Sequence, residues 1–327
     1  MYNFQLSEGY IGGAIVEIDT VRYEELLHAN AVIKPIWDLE DTFSLLANSF
    51  IELEEYFLSL GISYFYQKDM QRDMNHFFDD VRQGANLKLI SALTASRVYE
   101  EQLHRKTSLL SKLTETKIDL CPSFSSAFDE SIEYRVMYAL RNHAQHRQLP
   151  LTNIIFSSSN LSETGDMRDG AASRHRITID PKISVTEFCN SDKIKSSTRE
   201  EVRDLGYQYL DLKFFMRGFL SCLAVCHEDF RKATEPFVEI YLTALKEARD
   251  ELWKLKGDEP KHICIFKRYE GRVVEKHYID YTERSRLRDL RGFWTGLQSV
   301  QRGYVSSEVK LSKDTYPEQH EKVWIAK

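Results

Sequence analysis

Leu39–Phe65, reading LEDTFSLLANSFIELEEYFLSLGISYF, spaces Phe43, Leu46, Phe50, Leu53, Phe57 and Leu60 at intervals of three and four. A helix turns about 100° per residue, so these side chains fall on one stripe; a strand would scatter them over both faces. The stretch predicts a helix with one buried side. The same spacing recurs at Asn86–Leu113 (Leu89, Ile90, Leu93, Val98) and at Phe128–Gln148 (Ile132, Val136, Met137, Leu140), where Pro150 closes the run. It returns at Ser196–Ala224 and Glu228–Lys256. Asp73–Arg82 reads as a shorter helix stopped by Gly84, with Asn86 as the N-cap of the next one. Helices of this length bury their stripes against one another as a bundle.

Other segments follow other rules. Ala14–Ile18 reads as extended and Val21–His28 as a short helix. Cys121-Pro122-Ser123 interrupts the helical pattern. Ile154-Ile155-Phe156 and Ile177-Thr178-Ile179 read as two strands of a hairpin, joined by a polar tip at Ser157–Ser173. Gly257-Asp258-Glu259-Pro260 is the clearest linker. Beyond it, His262–Phe266, Arg272–Val274 and His277–Tyr281 read as short strands and Arg284–Leu297 as a basic helix. The expected fold is mainly α: a helical bundle with an inserted β-hairpin and a small α+β C-terminal tail. The expected divisions are 1–37, 38–256 with the hairpin at 151–183, and 257–327.

Composition narrows the class. At 327 residues, 42% hydrophobic and 29% charged, the chain reads as a globular protein with a sizeable core. No apolar run approaches the roughly 18–20 residues that span a bilayer, and Met1–Gly12 lacks the pattern of a secretory leader. Five cysteines, Cys121, Cys189, Cys222, Cys226 and Cys264, include no CxxC pair, which points to a reducing cytoplasm. Cys222 and Cys226 read as small core residues of a helix rather than metal ligands. The net charge of −6 disfavours a generally basic nucleic-acid binder, yet it is unevenly spread. Residues 1–65 hold eleven acids and two bases, whereas 258–327 hold fourteen bases and eleven acids, so a polyanion approaches the latter more easily.

The chemistry concentrates in Arg141-Asn142-His143-Ala144-Gln145-His146, at the end of an apolar helical run. An imidazole near its ordinary pKa of about 6.5 takes or gives a proton at neutral pH. A guanidinium offers a planar fork of donors to phosphate oxygens. The pair suits RNA transesterification, with a base on the 2′-hydroxyl and a cation on the phosphorus oxygens, and calls for no metal or other cofactor. On a helix, Arg135, Asn142 and His146 share a face flanked by Tyr138, while Arg141 stands about 140° round from His146. Arg141 then reaches the site through its length, a local kink or a partner subunit.

Arg141-Asn142 followed by His146, on the last helix of a bundle and after Tyr138-Ala139-Leu140, resembles the signature of the HEPN superfamily (higher eukaryotes and prokaryotes nucleotide-binding). Asn86–His104 resembles the helix that often precedes the motif helix there. The resemblance implies a HEPN-like fold and a metal-independent endoribonuclease of bacterial defence or toxin-like growth arrest. Arg141 and His146 would be catalytic and Asn142 would hold the polar position. It also implies a homodimer with two motifs facing one cleft, RNA as substrate, and a neutralising or regulatory protein partner. Arg135, Tyr138 and His143 are the candidate substrate-binding residues. Gln148 stands where many toxin members carry a tyrosine.

Other readings stay open. His146 would also suit the negative end of a helix dipole, and Arg141 a surface ion pair. His143 and His146 are three apart, as metal ligands on a helix are. Arg284–Trp294 interleaves arginines with apolar residues, as in an RNA-tracking surface or an amphipathic helix with a solvated basic face. A non-catalytic helical module that binds a nucleotide, RNA or protein is the second functional class.

Overall fold

A computed structural model describes residues 2–8, 13–66, 74–146, 149–151, 153–160, 175–260, 263–279 and 286–305. The apolar stripe of Leu39–Phe65 starts well upstream, because Tyr23, Leu26, Ala29, Ile33, Ile36 and Leu39 are buried at the same spacing. One helix results, α1 (Thr20–Tyr66), with Pro35 inside it. A proline in a helix interior costs about 3 kcal/mol. Each fully buried large side chain contributes roughly 1.5–3 kcal/mol, and several lie on either side of Pro35. Packing wins, and the break expected at residues 37 and 38 falls within continuous helix. Asp19 starts α1, its carboxylate accepting from the Arg22 amide at 2.7 Å.

The second helix, α2 (Met74–Leu113), runs straight through Gly84. Gly84 is a notch rather than a stop: a Cβ there would sit 2.2 Å from Tyr56 Oη. Tyr56 crosses the helix at that point and donates to the Val81 carbonyl at 3.2 Å. Nor is Asn86 a cap. Its Oδ1 accepts from the Leu151 amide at 3.0 Å, and its Nδ2 donates to the Leu151 carbonyl at 2.7 Å. The side chain thus imitates a paired strand and ties down the chain just after the Arg141–His146 stretch.

The helix expected at Phe128–Gln148 divides at Ser131 into α3 (Cys121–Glu130) and α4 (Ile132–His146). Pro122 fits the first turn of α3, where no helical partner for its N–H is needed. Ser131 Oγ caps α4, accepting from the Tyr134 amide at 3.1 Å.

The expected hairpin is present as β3 (Asn153–Asn160) and β4 (His175–Ser184), with Phe156 paired to Ile179. Most of its polar tip lies outside the described residues. After α5 (Val185–Asn190) and α6 (Ser196–Asp204), a third strand, β5 (Tyr209–Asp211), pairs with β4. It lies inside a region whose periodicity reads as helix. Gly206, at φ +71°, ends α6 by entering the left-handed region that L side chains avoid. Asp211 then caps α7 (Leu212–Lys256), accepting from the Phe214 amide at 3.0 Å. α7 is a single helix where two are expected.

The C-terminal segment is not an appendage. β6 (Ile263–Tyr269) and β7 (Arg272–Ile279) form a hairpin through Glu270 and Gly271, both with positive φ as a tight two-residue turn requires. β7 merges the strands expected at Arg272–Val274 and His277–Tyr281. β6 pairs antiparallel with β1 (Tyr2–Ser7), which pairs with β2 (Ile15–Ile18), giving the order β2-β1-β6-β7. Of the expected basic helix at Arg284–Leu297, α8 covers Leu287–Gly292, and a 3-10 turn follows at Thr295–Ser299.

The fold is therefore mainly helical with two small antiparallel sheets. Contacts divide it into two compact units: Met1–Asn48, Thr94–Glu130 and Cys222–Gln298 in one, and Ser49–Leu93, Ser131–Ser221 and Ser299–Lys327 in the other. The first contains the four-stranded sheet; the second contains α4 and the three-stranded sheet. No described helix is long and apolar enough to cross a membrane.

Replacing Asn86 by alanine strands both backbone groups of the buried Leu151. Urea unfolding of Asn86→Ala should show a loss of about 2–4 kcal/mol, the cost of two unsatisfied buried groups. A loss below about 1 kcal/mol would mean that water replaces the amide.

Candidate functional site

α4 presents its buried side through Tyr134, Val136, Met137, Leu140 and Arg141. Tyr134 packs on Phe219, ring centroids 5.1 Å apart. Arg141 is 5% exposed, with its guanidinium carbon 4.3 Å from the centroid of the Tyr138 ring. A cation over an aromatic face is held by the ring quadrupole. Tyr138 therefore orients Arg141, which is a buried rather than a surface side chain.

Arg135 is engaged by Glu201, Nε to Oε2 at 2.9 Å with a second contact from Nη2 to Oε1. The fork-to-fork pairing takes up the Nε–Nη2 edge, one of the edges that a phosphate could use. Asn142 and His143 are half-buried. His143 Nδ1 lies 3.0 Å from Ser191 Oγ, which fixes the ring at the loop after α5. The backbone of α4 extends through His146, so Asn142 and His143 lie about 40° and 60° to either side of it. The side chains of Gln145 and His146 lie outside what the structure describes, as do Arg147 and Gln148.

Beside His143 is a small hollow of about 30 Å³, bounded by Leu140, Leu149 and Phe188 with Ser184 and Glu187 as polar neighbours. That volume admits a water molecule or two but no nucleobase.

A second polar constellation, in the other compact unit, is invisible to motif reading. Tyr99 Oη is 3.0 Å from His227 Nδ1, and His227 Nε2 is 3.0 Å from Glu40 Oε2. Arg231 reaches the same carboxylate, Nη2 to Oε2 at 2.7 Å and Nε to Oε1 at 3.1 Å. It also donates to the carbonyls of Leu290 and Phe293, each at 3.2 Å. Arg291 donates to the Arg231 carbonyl and to Thr234 Oγ1. Phe43 stacks flat on His227, centroids 3.9 Å apart and planes 9° apart.

The protonation states follow from burial and partners. Burial alone would raise the Glu40 pKa, but hydrogen bonds and charge from His227 and Arg231 hold it at about 2. Burial lowers the His227 pKa against the opposing pull of Glu40, so the imidazole is neutral. Burial also pushes the Tyr99 phenol well above its ordinary range. Tyr99 therefore donates to Nδ1, and Nε2–H donates to an ionised Glu40. The order of groups is that of a nucleophile, a base and an orienting acid. With Tyr99 at 0% and His227 at 1% exposure, no substrate reaches it. It is a structural network.

Sequence signals for this network exist in retrospect. Glu40 stands on the apolar stripe between Ile36 and Phe43, and His227 interrupts an apolar run directly after the buried Cys226. Arg291, read as part of a solvated basic face, is buried among these partners. Among the described residues, no cluster of His, Cys, Asp and Glu is arranged to hold a metal ion. No protein-family model, curated protein or solved structure matches the chain.

Both titrations work against the fold in acid. Neutral His227 has a lowered folded pKa, so stability falls as pH drops below about 6.5. Glu40 has a lowered folded pKa too, and its share is lost as pH falls from 4.5 to about 2. Glu40→Gln should cost about 3–5 kcal/mol at pH 7 by leaving Arg231 uncompensated. In urea unfolding it should also remove the wild-type decline below pH 4.5 that Glu40 contributes. The decline that begins below about 6.5 should deepen, because His227 loses the carboxylate that raised its pKa. Parallel pH profiles for the two proteins would refute the assignment.

Proposed function

We propose that this protein is a metal-independent endoribonuclease of HEPN type, cleaving RNA by attack of the 2′-hydroxyl on the adjacent phosphorus. The observation that carries the reading is the Arg141–His146 stretch at the end of α4, within a mainly helical unit. Asn142 and His143 flank the angular position of His146, and the Arg141 guanidinium is held over Tyr138. His146 is assigned as the base that takes the 2′-hydroxyl proton. Arg141 is assigned to the negative charge that grows on the phosphorus oxygens. Asn142 orients the phosphate. The products are a 2′,3′-cyclic phosphate and a 5′-hydroxyl, the leaving oxygen taking up a proton. A homodimer would bring Arg141 of one copy towards His146 of the other, which answers the 140° separation within a chain. Bacterial defence or growth arrest is the proposed setting, with a neutralising or regulatory protein as a further partner.

One observation favours a second reading, a non-catalytic module that binds RNA, a nucleotide or a protein. Arg135 is paired with Glu201, and Arg141 is almost wholly buried against Tyr138. Both cations already have internal work.

The two readings separate on single-stranded RNA incubated with the purified protein in EDTA. The nuclease reading expects 2′,3′-cyclic phosphate ends from wild type and a rate about 10²–10⁴-fold lower in His146→Ala. Arg141→Lys keeps the charge but not the fork, and should cut the rate while leaving the melting temperature within a few degrees. Absence of cleavage by wild type across a panel of RNAs, or equal cleavage by His146→Ala, overturns the nuclease reading.

A further inference from the structure

The outer face of the four-stranded sheet carries an unassigned pattern. Cross-strand partners in an antiparallel ladder point to the same side. Gln5 pairs with Phe266 and Phe266 with Lys276; Asn3 pairs with Arg268, and Cys264 with Tyr278. Asn3, Gln5, Phe266, Arg268, Lys276 and Tyr278 therefore share one face. The alternate residues are turned inward. Phe4 lies against Tyr23 of α1, centroids 4.7 Å apart, and Glu275 accepts from Tyr23 Oη at 3.2 Å. Leu6 and Ile265 on that side are fully buried.

On the outer face, Lys276 Nζ is 4.4 Å from the Tyr278 ring centroid and 5.3 Å from that of Phe266. The Arg268 guanidinium carbon lies 5.9 Å from the Phe266 centroid. Tyr278 is 61% exposed and Lys276 beside it is exposed, as is Asn3 at the other end of the face, whereas Phe266 and Cys264 between them are buried. A carboxylate, Glu17, stands opposite Gln5 on the far edge strand, so the positive strip is confined to β6 and β7. The basic surplus noted after residue 258 is in part placed here, Lys276 over the exposed Tyr278 ring and Arg268 beside the buried Phe266.

We propose that this face of the sheet binds single-stranded RNA, with Tyr278 stacking a base and Lys276 and Arg268 contacting the backbone phosphates. Every nucleobase has a π-face, so an exposed ring flanked by cations takes single strands without reading a motif. The amides of Asn3 and Gln5 add donors and acceptors for base edges. A duplex keeps its bases stacked internally and offers nothing to Tyr278. The assignment does not depend on the chain being a nuclease.

The test is fluorescence anisotropy with full-length protein, in EDTA, and a labelled 12-mer of 2′-O-methyl oligouridine, which lacks the nucleophile for cleavage. Tyr278→Ala should weaken binding about tenfold while Tyr278→Phe retains it. Lys276→Gln should lower the salt slope by about 0.7. Melting temperatures of all three should match wild type, since both side chains are exposed. Tight binding that survives Tyr278→Ala and Lys276→Gln places the RNA elsewhere and overturns the proposal. So does absence of binding, equal affinity for an RNA duplex, or displacement of the probe by polyglutamate, which would mark an acidic protein partner's site. Binding lost in Tyr278→Ala by a protein that cleaves no RNA keeps this proposal and ends the nuclease reading.

Discussion

An ionised carboxylate held out of water is the constraint on which the first compact unit depends. Glu40 sits on the buried stripe of α1, 1% exposed. A charge in that position is tolerated only when its lone pairs are met by well-placed donors. His227 and Arg231, four residues apart on α7, supply them. Their spacing is one turn of helix, so α7 must present that turn to Glu40 in one rotational setting. The cluster then extends outward. Arg231 holds the carbonyls at Leu290 and Phe293, and Arg291 returns to Arg231 and Thr234. The segment around Leu287–Phe293 is thus docked by this polar network together with the buried Leu287.

The second unit relies on a related device in neutral form. Asn86 gives Leu151 both bonds that a neighbouring strand would give. The chain leaving α4 is thereby fixed to α2 just beyond the Arg141–His146 stretch. Tyr138 under Arg141 and Ser191 beside His143 continue the same logic. Arg141 and His143 are each held by a neighbouring side chain.

Much of this was legible before any coordinates. The helical stretches, the hairpin around Phe156 and Ile179, and the placing of Arg141 through His146 at a helix end all rest on neighbours within a few residues. Pro35, Gly84 and the 224–228 junction were harder. Each carries a local helix-breaking or pattern-ending signal that distant packing overrides: buried stripes on both sides of Pro35, and the Tyr56 ring filling the space at Gly84. Tyr209–Asp211 erred the other way, since three residues of strand leave too short a pattern to show against helical surroundings.

By itself the sequence determined which faces are apolar, that the chain is mainly helical, and that one short stretch unites a guanidinium, two amides and two imidazoles. Only the tertiary structure decided that β6 pairs with β1 and that Glu40, Tyr99, His227 and Arg231 meet. The physical reason is range. Periodicity records the angle at which a side chain leaves its own backbone. Whether a buried charge is neutralised, or a strand edge is filled, depends on a partner more than a hundred residues away, which no local pattern specifies.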